Sequence, residues 1–483
     1  MFWGHLKLMG EYAKKVPAGT HAQTVFTLIK QDFDLPDVFY LDLWPLGPRF
    51  LVCTTPDSCA ISTTINNFEQ PHFVTSFFDG TMGTGFIEAT NGSLWKHLHM
   101  MLAPGFTPNS VKGYHAMVIK EAAAFHGRLR NTAKAGKVVN MRRELGQYPF
   151  QVIGIIFFGQ ILSHDVYEEA LLAVDVQTKI NATNNPLTKR SLRKELAGCF
   201  RRIEAILEPT IRSRYATLQQ QKVTPKMAEA ATVLDRMLIT QIENGQPLDA
   251  PSIRLIHDNL NGFLVAGFGT TTDTSNYIFM LLSAHPEALK KMREEHDRVF
   301  SKDFDKTVEM LQQDPSLLRQ LDYTKAVIDE TLRLFPIGFS VRAVPSDMTT
   351  VEYKGKQYPV KDHNMAVLSL AMHYSPDYFD EPKKFIPERF LGNELPCPRN
   401  AYRPFERGVR SCLGQALALD EMKIMLVLVA RWFDFELRDC DLAEKPRYTY
   451  TDMDTVIGRH GLQLFSFSAT PNGPVDTMVT AAR

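Results

Sequence analysis

A cysteine flanked by two glycines, Cys412, constrains this chain more than any other feature. It lies in the stretch F-E-R-G-V-R-S-C-L-G (Phe405–Gly414), with Gly408 four residues before it and Gly414 two after. An apolar-rich run from Leu413 to Phe433 follows and predicts a helix. A cysteine at a helix N-terminus has its thiolate favoured by the helix dipole and by free backbone N–H groups. The glycines let backbone come close to a large, flat ligand. Arg410 places a cation two residues from the cysteine, suited to an acidic group on that ligand. The alternative is a buried structural cysteine, since a free cysteine packs as a small hydrophobe.

At 483 residues the chain can bury a large core, and length alone allows about three domains. No Gly/Ser-rich or Pro-rich linker divides it, so one domain is expected. Lys plus Arg and Asp plus Glu both number 54, a balance that argues against nucleic acid as a partner. The six cysteines form no C-x-x-C pair and no zinc spacing, which fits a reducing compartment and leaves Cys412 free to act as a thiolate. No run of 18 or more apolar residues occurs, and the opening M-F-W-G-H-L-K-L-M-G lacks the apolar centre of a signal peptide. Lys189, Arg190, Arg193, Lys194, Arg201 and Arg202 read as a solvated helix face, with an anionic membrane surface as the lesser reading.

The fold class is mainly α with small β-sheets. Val38 to Leu43 and Arg49 to Cys53 predict a hairpin about Gly47-Pro48, and Pro56 opens a helix. Phe68 to Phe86 reads as a long irregular loop whose Phe73, Phe77 and Phe78 either pack beneath it or wall a pocket. Ser110 to Gln221 predicts helix nearly throughout, broken near Gly136, Gly159 and Asn184-Asn185-Pro186. Pro251 to Leu282 predicts one long helix with A-G-F-G-T-T-T-D-T (Ala266 to Thr274) at its centre. Glycine and clustered threonines cost helix stability, so some other need holds them there. Asp322 to Leu334 carries Glu330 and Arg333 on one helix face, and F-I-P-E-R-F follows at Phe385 to Phe390. Ile337 to Val344 predicts a strand, and Val351 to Val360 a hairpin. Tyr448 to Phe467 predicts a final β pair with a turn near Val456, and the tail from Ala469 is expected to be loose.

These motifs, in this order, resemble those of the cytochromes P450. Phe405–Gly414 meets every fixed position of the haem-binding loop F-x-x-G-x-R-x-C-x-G, and Glu330 to Arg333 is the E-x-x-R pair. Ala266 to Thr270 is similar to A-G-x-(D/E)-T with Gly269 in the acid's place, and Trp95 to His99 to W-x-x-x-R with His99 in the arginine's place. The resemblance runs from about Leu6 to Phe467. It implies a single haem-thiolate domain over 1–483, helical for the most part, with a β-rich part at about 35–70 and 337–370. It implies haem b on Cys412, with Arg410, Arg342, Trp95, His99, Phe405, Gly408, Gly414 and Ala266 around it. Gly267 would open a groove for dioxygen and Thr270 would supply a hydroxyl. Water beside Gly269 would replace the missing acid. Glu330, Arg333 and Arg389 would form a buried ion network that fixes the cysteine loop. Phe73, Phe77, Phe78, Phe268, Ile337, Phe339 and Val456 would line an apolar pocket.

The implied reaction is monooxygenation of a mid-sized lipophilic molecule such as a terpenoid, steroid or polyketide, with O2 as co-substrate. Electrons would come from NADPH through a separate flavoprotein reductase, since no flavin module and no dinucleotide-binding context occur in the chain. Lys96, Arg142, Arg143, Arg407 and Lys423 are candidates for its docking face. The resemblance to microsomal members implies a monomer at the cytosolic face of the endoplasmic reticulum, with the N-terminal anchor absent here and peripheral membrane contact remaining open. The cysteine loop is similar to those of filamentous-fungal members, which points to secondary metabolism. Gly269 keeps open an isomerase or dehydratase that needs no external electrons, against which Thr270 argues. A haem-thiolate sensor without turnover is the alternative of another class.

Overall fold

The computed structural model describes residues 3–221, 226–392, 394–438 and 440–482. Four long helices, Pro108–Ala135, Met141–Phe158, His164–Ala182 and Pro186–Gln219, stand where the sequence predicts helix. Local chemistry sets their ends. The Thr107 hydroxyl accepts from Ser110 N–H beside Pro108 in the first turn, and the Asn185 side chain accepts from Leu187 and Thr188 N–H. Gly136 and Gly159 close two of the helices in the left-handed region.

These helices pack around the central run 250–284. Ala250–Phe263 and Thr270–Ala284 are α-helical, and Leu264–Gly269 between them winds as a wider π turn. Such turns concentrate at functional sites. The run is buried along most of its length, and one apolar core joins it to the surrounding helices.

The main sheet draws on both stretches expected to be β-rich. Its order is Val38–Asp42, Arg49–Cys53, Asn364–Val367, Ser340–Ala343, with the middle pair parallel and the outer pairs antiparallel. Side chains alternate across it: Phe50, Val52 and Ala366 enter one apolar cluster, while Leu51, Cys53, Met365 and Val367 enter another.

Three expectations are corrected. Phe68 to Phe86 is not irregular, for the helix His72–Met82 lies within it between Pro71 and Gly83. Phe73 and Phe77 are one helical turn apart there. The final β pair is Gln463–Phe465 with Ala469–Pro471, and short 3-10 turns occupy the chain before it. The tail is not loose: Asp476–Ala481 is the middle strand of a sheet with Val138–Asn140 and Phe433–Leu437. Val475 and Val479 are buried beneath it, and that burial holds the tail down. No helix among the described residues is long and apolar enough to cross a membrane.

Candidate functional site

Backbone hydrogen bonds build the cysteine loop. Cys412 N–H donates to Phe405 O at 2.9 Å, and Ser411 N–H to Gly408 O at 3.0 Å. Gly414 caps the helix Gln415–Met425, and its N–H donates to the Cys412 sulfur. Cys412 lies deep in the molecule and is nevertheless exposed, so its thiol faces an interior cleft. Burial pushes that thiol up to about 11, against the Gly414 bond, which favours the thiolate. The Gly414 bond acts in the direction the sequence predicts, toward the thiolate, and burial opposes it. A bound metal cation does ionise such a thiol, which suits a metal ligand better than a free nucleophile.

Gly408 has φ +87°, and a Cβ built on it would lie 2.0 Å from the Thr63 carbonyl oxygen. The glycine thus lets the loop rest closely on the backbone of the turn Ile61–Ile65. Gly408→Ala is expected to lower stability by about 1–3 kcal/mol from the left-handed backbone alone, with the clash in addition. Thermal unfolding of variant and parent checks this, and an unchanged melting temperature would contradict it.

Two cations lie beside the loop, Arg342 buried and Arg410 half-buried. Arg410 Nη2 donates to Asn91 Oδ1 at 2.7 Å and to Thr90 O at 3.0 Å. Its guanidinium stacks 4.4 Å over the Trp95 ring, and Trp95 in turn lies 4.9 Å from the His99 ring. Arg342 donates to Gln70 Oε1 at 3.2 Å and to Val341 O at 3.0 Å. Burial pulls Arg410 below its ordinary value; Glu88 opposes this and Arg342 adds to it. Arg410 Nη1 is buried without a hydrogen-bond partner among the described residues. Buried charges are paired or they coordinate something. A thiol donor beside two desolvated guanidiniums, one with an orphaned nitrogen, fits a metal-bearing group with acidic substituents, as haem is. Sequence reasoning missed Gln70 and Asn91, which hold this corner together: Asn91 Nδ2 donates to Gln70 O and Gln70 Nε2 to Glu88 Oε2.

The face of the central run at Phe263, Ala266, Gly267 and Thr270 is open in an otherwise buried helix. Thr270 Oγ1 donates to Ala266 O at 2.5 Å. A Cβ on Gly269 would meet nothing within 4 Å, so there is room beside it. A Cβ on Gly267 would lie 2.1 Å from Ile153 Cδ1. A side chain there would displace Ile153 of the crossing helix Met141–Phe158. Phe268 is turned into the helix packing, against Phe150 and Tyr167, and is nearly fully buried. Among the described residues no carboxylate bonds to Thr270. Asp273 is committed to Arg142 at 3.1 Å and Thr470 at 2.9 Å. Glu421, on the cysteine helix, is pushed up to about 8 by burial and takes the Thr271 hydroxyl.

Aromatic rings form a continuous wall. Phe77 stacks on Phe465 at 5.9 Å and meets Phe78 at 5.3 Å, and Phe78 meets Phe86. His21 joins Phe465 to Phe339, and Phe26 and Phe50 lead on to Phe73. Ile337 is buried, and its carbonyl accepts from Ala469 N–H in the last β pair. Val456 is half-buried against the main core. Phe465, Phe467 and Phe86 were missed, although the alternation of Phe465 and Phe467 in a β segment was a signal.

Glu330, Arg333 and Arg389 do meet. Arg333 forms two bonds to the Glu330 carboxylate at 2.7 and 2.8 Å, and Arg389 Nε joins Glu330 Oε1 at 3.1 Å. Of the cations read as a docking face, Lys423 is buried on Leu318 O and Arg142 is held by Asp273, so neither is free to dock. Arg143 pairs with Glu168, and Arg407 bonds the carbonyls of Arg399 and Tyr402. Lys96 is exposed.

A family model described as Cytochrome P450 matches residues 59–450. The chain is similar to cytochrome P450 monooxygenase acrF of Aspergillus aculeatus, 28% identical over 96% of this chain and 98% of the relative. It is similar to cytochrome P450 monooxygenase ptmJ of Penicillium ochrochloron, 29% identical over 84% of this chain and 78% of the relative. Among solved structures the haem domain of cytochrome P450DA matches with a TM-score of 0.72 and 21% identity, over 96% of this chain and 94% of that one, a likeness of fold.

Proposed function

The chain belongs to the cytochrome P450 family and is an oxidoreductase of the monooxygenase type, and from that premise we propose that it inserts one oxygen atom of O2 into a C–H or C=C bond of a lipophilic small molecule. The observation that carries this is the Cys412 thiol, facing an interior cleft beside two arginines, Arg342 buried and Arg410 half-buried with one unpaired nitrogen. Haem b, bound through Cys412, supplies the oxygen chemistry, because a thiolate ligand favours O–O cleavage. Arg410, Arg342, Trp95 and His99 would hold its acidic groups, and Phe405 and Ala266 would lie against it. The ring wall from Phe73 to Phe86 keeps water away and favours an apolar substrate. Its partner would be a separate NADPH-dependent flavoprotein reductase, with exposed Lys96 on the docking face. A single catalytic domain, acting as a monomer at the cytosolic face of the endoplasmic reticulum with peripheral membrane contact, completes the reading. Similarity to relatives from Aspergillus and Penicillium supports a role in making a secondary metabolite such as a terpenoid, steroid or polyketide.

Thr270 would pass a proton; its hydroxyl, which donates to Ala266 O, would need resupply, and among the described residues no carboxylate bonds to it. The room beside Gly269 can hold water, given polar partners. Thr270→Ala is therefore expected to lower product formed per NADPH oxidised and to raise released peroxide. Equal coupling in variant and parent would show that protons arrive elsewhere. Gly269 also supports the rival reading, an isomerase or dehydratase. NADPH consumption with added reductase, on substrates first found by a shift of the haem absorption band, separates the two.

A further inference from the structure

Arg403 opens the segment that leads to Cys412, and its side chain is fully buried. Nη2 donates to Glu406 Oε2 at 2.6 Å and to Thr63 Oγ1 at 3.0 Å. Nε and Nη1 have no hydrogen-bond partner among the described residues. The Arg403 backbone N–H donates to Nε2 of buried His373 at 3.3 Å, so that ring carries its proton on Nδ1, which donates to Arg333 O at 3.0 Å. Burial keeps the ring neutral, pulling it down to about 3.

Glu406 sits three residues on, with φ +59°. A non-glycine residue there is strained and must be held by its surroundings. Its Oε2 takes both Arg403 and the backbone N–H of Arg407, the latter at 3.1 Å, while its own N–H donates to Arg403 O at 3.1 Å. Thr63 completes the arrangement. Its hydroxyl takes Arg403, and its carbonyl oxygen occupies the place of a Gly408 side chain. Both charges thus converge where the cysteine loop rests on the turn Ile61–Ile65.

We propose that Arg403 and Glu406 are positioning residues, an ion pair inside the loop that clamps it against Thr63 and so fixes the direction of the Cys412 thiol. This rests on Cys412 being the haem ligand. A buried pair of this kind adds little over apolar contacts, but losing one member leaves the other charge buried and unpaired. The clamp therefore has a signature that packing alone lacks: removing both charges harms the loop less than removing either. Leucine can replace the buried stem of Arg403, and glycine accepts the left-handed backbone at 406 without strain.

The test compares the haem-loaded parent with Arg403→Leu, Glu406→Gly and the double variant. Haem content is measured, together with the fraction of the reduced carbon monoxide complex that carries the red-shifted thiolate band. Each single variant is expected to keep less than about half of the parent's thiolate fraction, or to lose haem altogether, and the double variant to regain most of it. Single variants that match the parent would overturn the clamp, as would a double variant no better than the worse single. A parent without the thiolate band would instead overturn the ligand assignment on which the clamp rests.

Discussion

Arg333→Ala is expected to yield little folded, haem-loaded protein. Arg333 and Glu330 are both completely buried. Beyond its two bonds to Glu330, Arg333 Nη1 donates to His373 O at 2.6 Å and Pro382 O at 2.7 Å, and Nη2 donates to Lys384 O at 3.1 Å. The guanidinium is thus a hub joining the helix Asp322–Leu334 to the chain that runs on toward Arg389. Glu330 Oε1 also accepts from Ile386 N–H at 2.9 Å. Alanine would orphan three carbonyls and leave the Glu330 carboxylate with Arg389 as its remaining cation. Breaking a buried pair in this way costs about 3–5 kcal/mol, against a total stability of about 5–15 kcal/mol for a folded domain. Arg333→Lys is not expected to rescue it, since one ammonium cannot reproduce the planar fork. Soluble yield, circular dichroism and the ratio of haem to protein measure the outcome. A well-folded variant with normal haem content and no turnover would contradict a structural role and place Arg333 in the chemistry.

Sequence showed most where the governing contacts are local. The E-x-x-R pair and the glycine stops at Gly136 and Gly159 are short-range patterns, and each stands as expected. It misled where the partner is remote in the chain. A Cβ on Gly408 would meet the carbonyl of Thr63, and one on Gly267 the side chain of Ile153, contacts that the local sequence does not show. Arg142 and Lys423 look like surface cations until Asp273 and the Leu318 carbonyl are seen beside them. The π turn Leu264–Gly269 was also not legible, since it inserts extra backbone into a run that reads as one regular helix. The helix His72–Met82 was hidden by the glycines and polar residues among its aromatics, which read as a loop, and the docked tail by its position at the chain end.

Cys412→Ser is the second change expected to have a large effect, because it removes the group on which the whole reading depends. The other cysteines are poorly placed to substitute. Cys53, Cys59 and Cys199 are buried, Cys397 and Cys440 are half-buried, and among the six only Cys412 is exposed. Serine keeps the shape of the side chain and the backbone bond from residue 412 N–H to Phe405 O, and its hydroxyl offers Gly414 N–H an acceptor. Its hydroxyl lacks the soft sulfur donor that suits haem iron in this family. The most direct measurement is the absorption spectrum of the reduced carbon monoxide complex of parent and Cys412→Ser, at matched haem content. The parent should show the red-shifted thiolate band, and the variant should lose it entirely. A variant that keeps the band, or a haem-loaded parent that lacks it, would contradict ligation of the haem by Cys412.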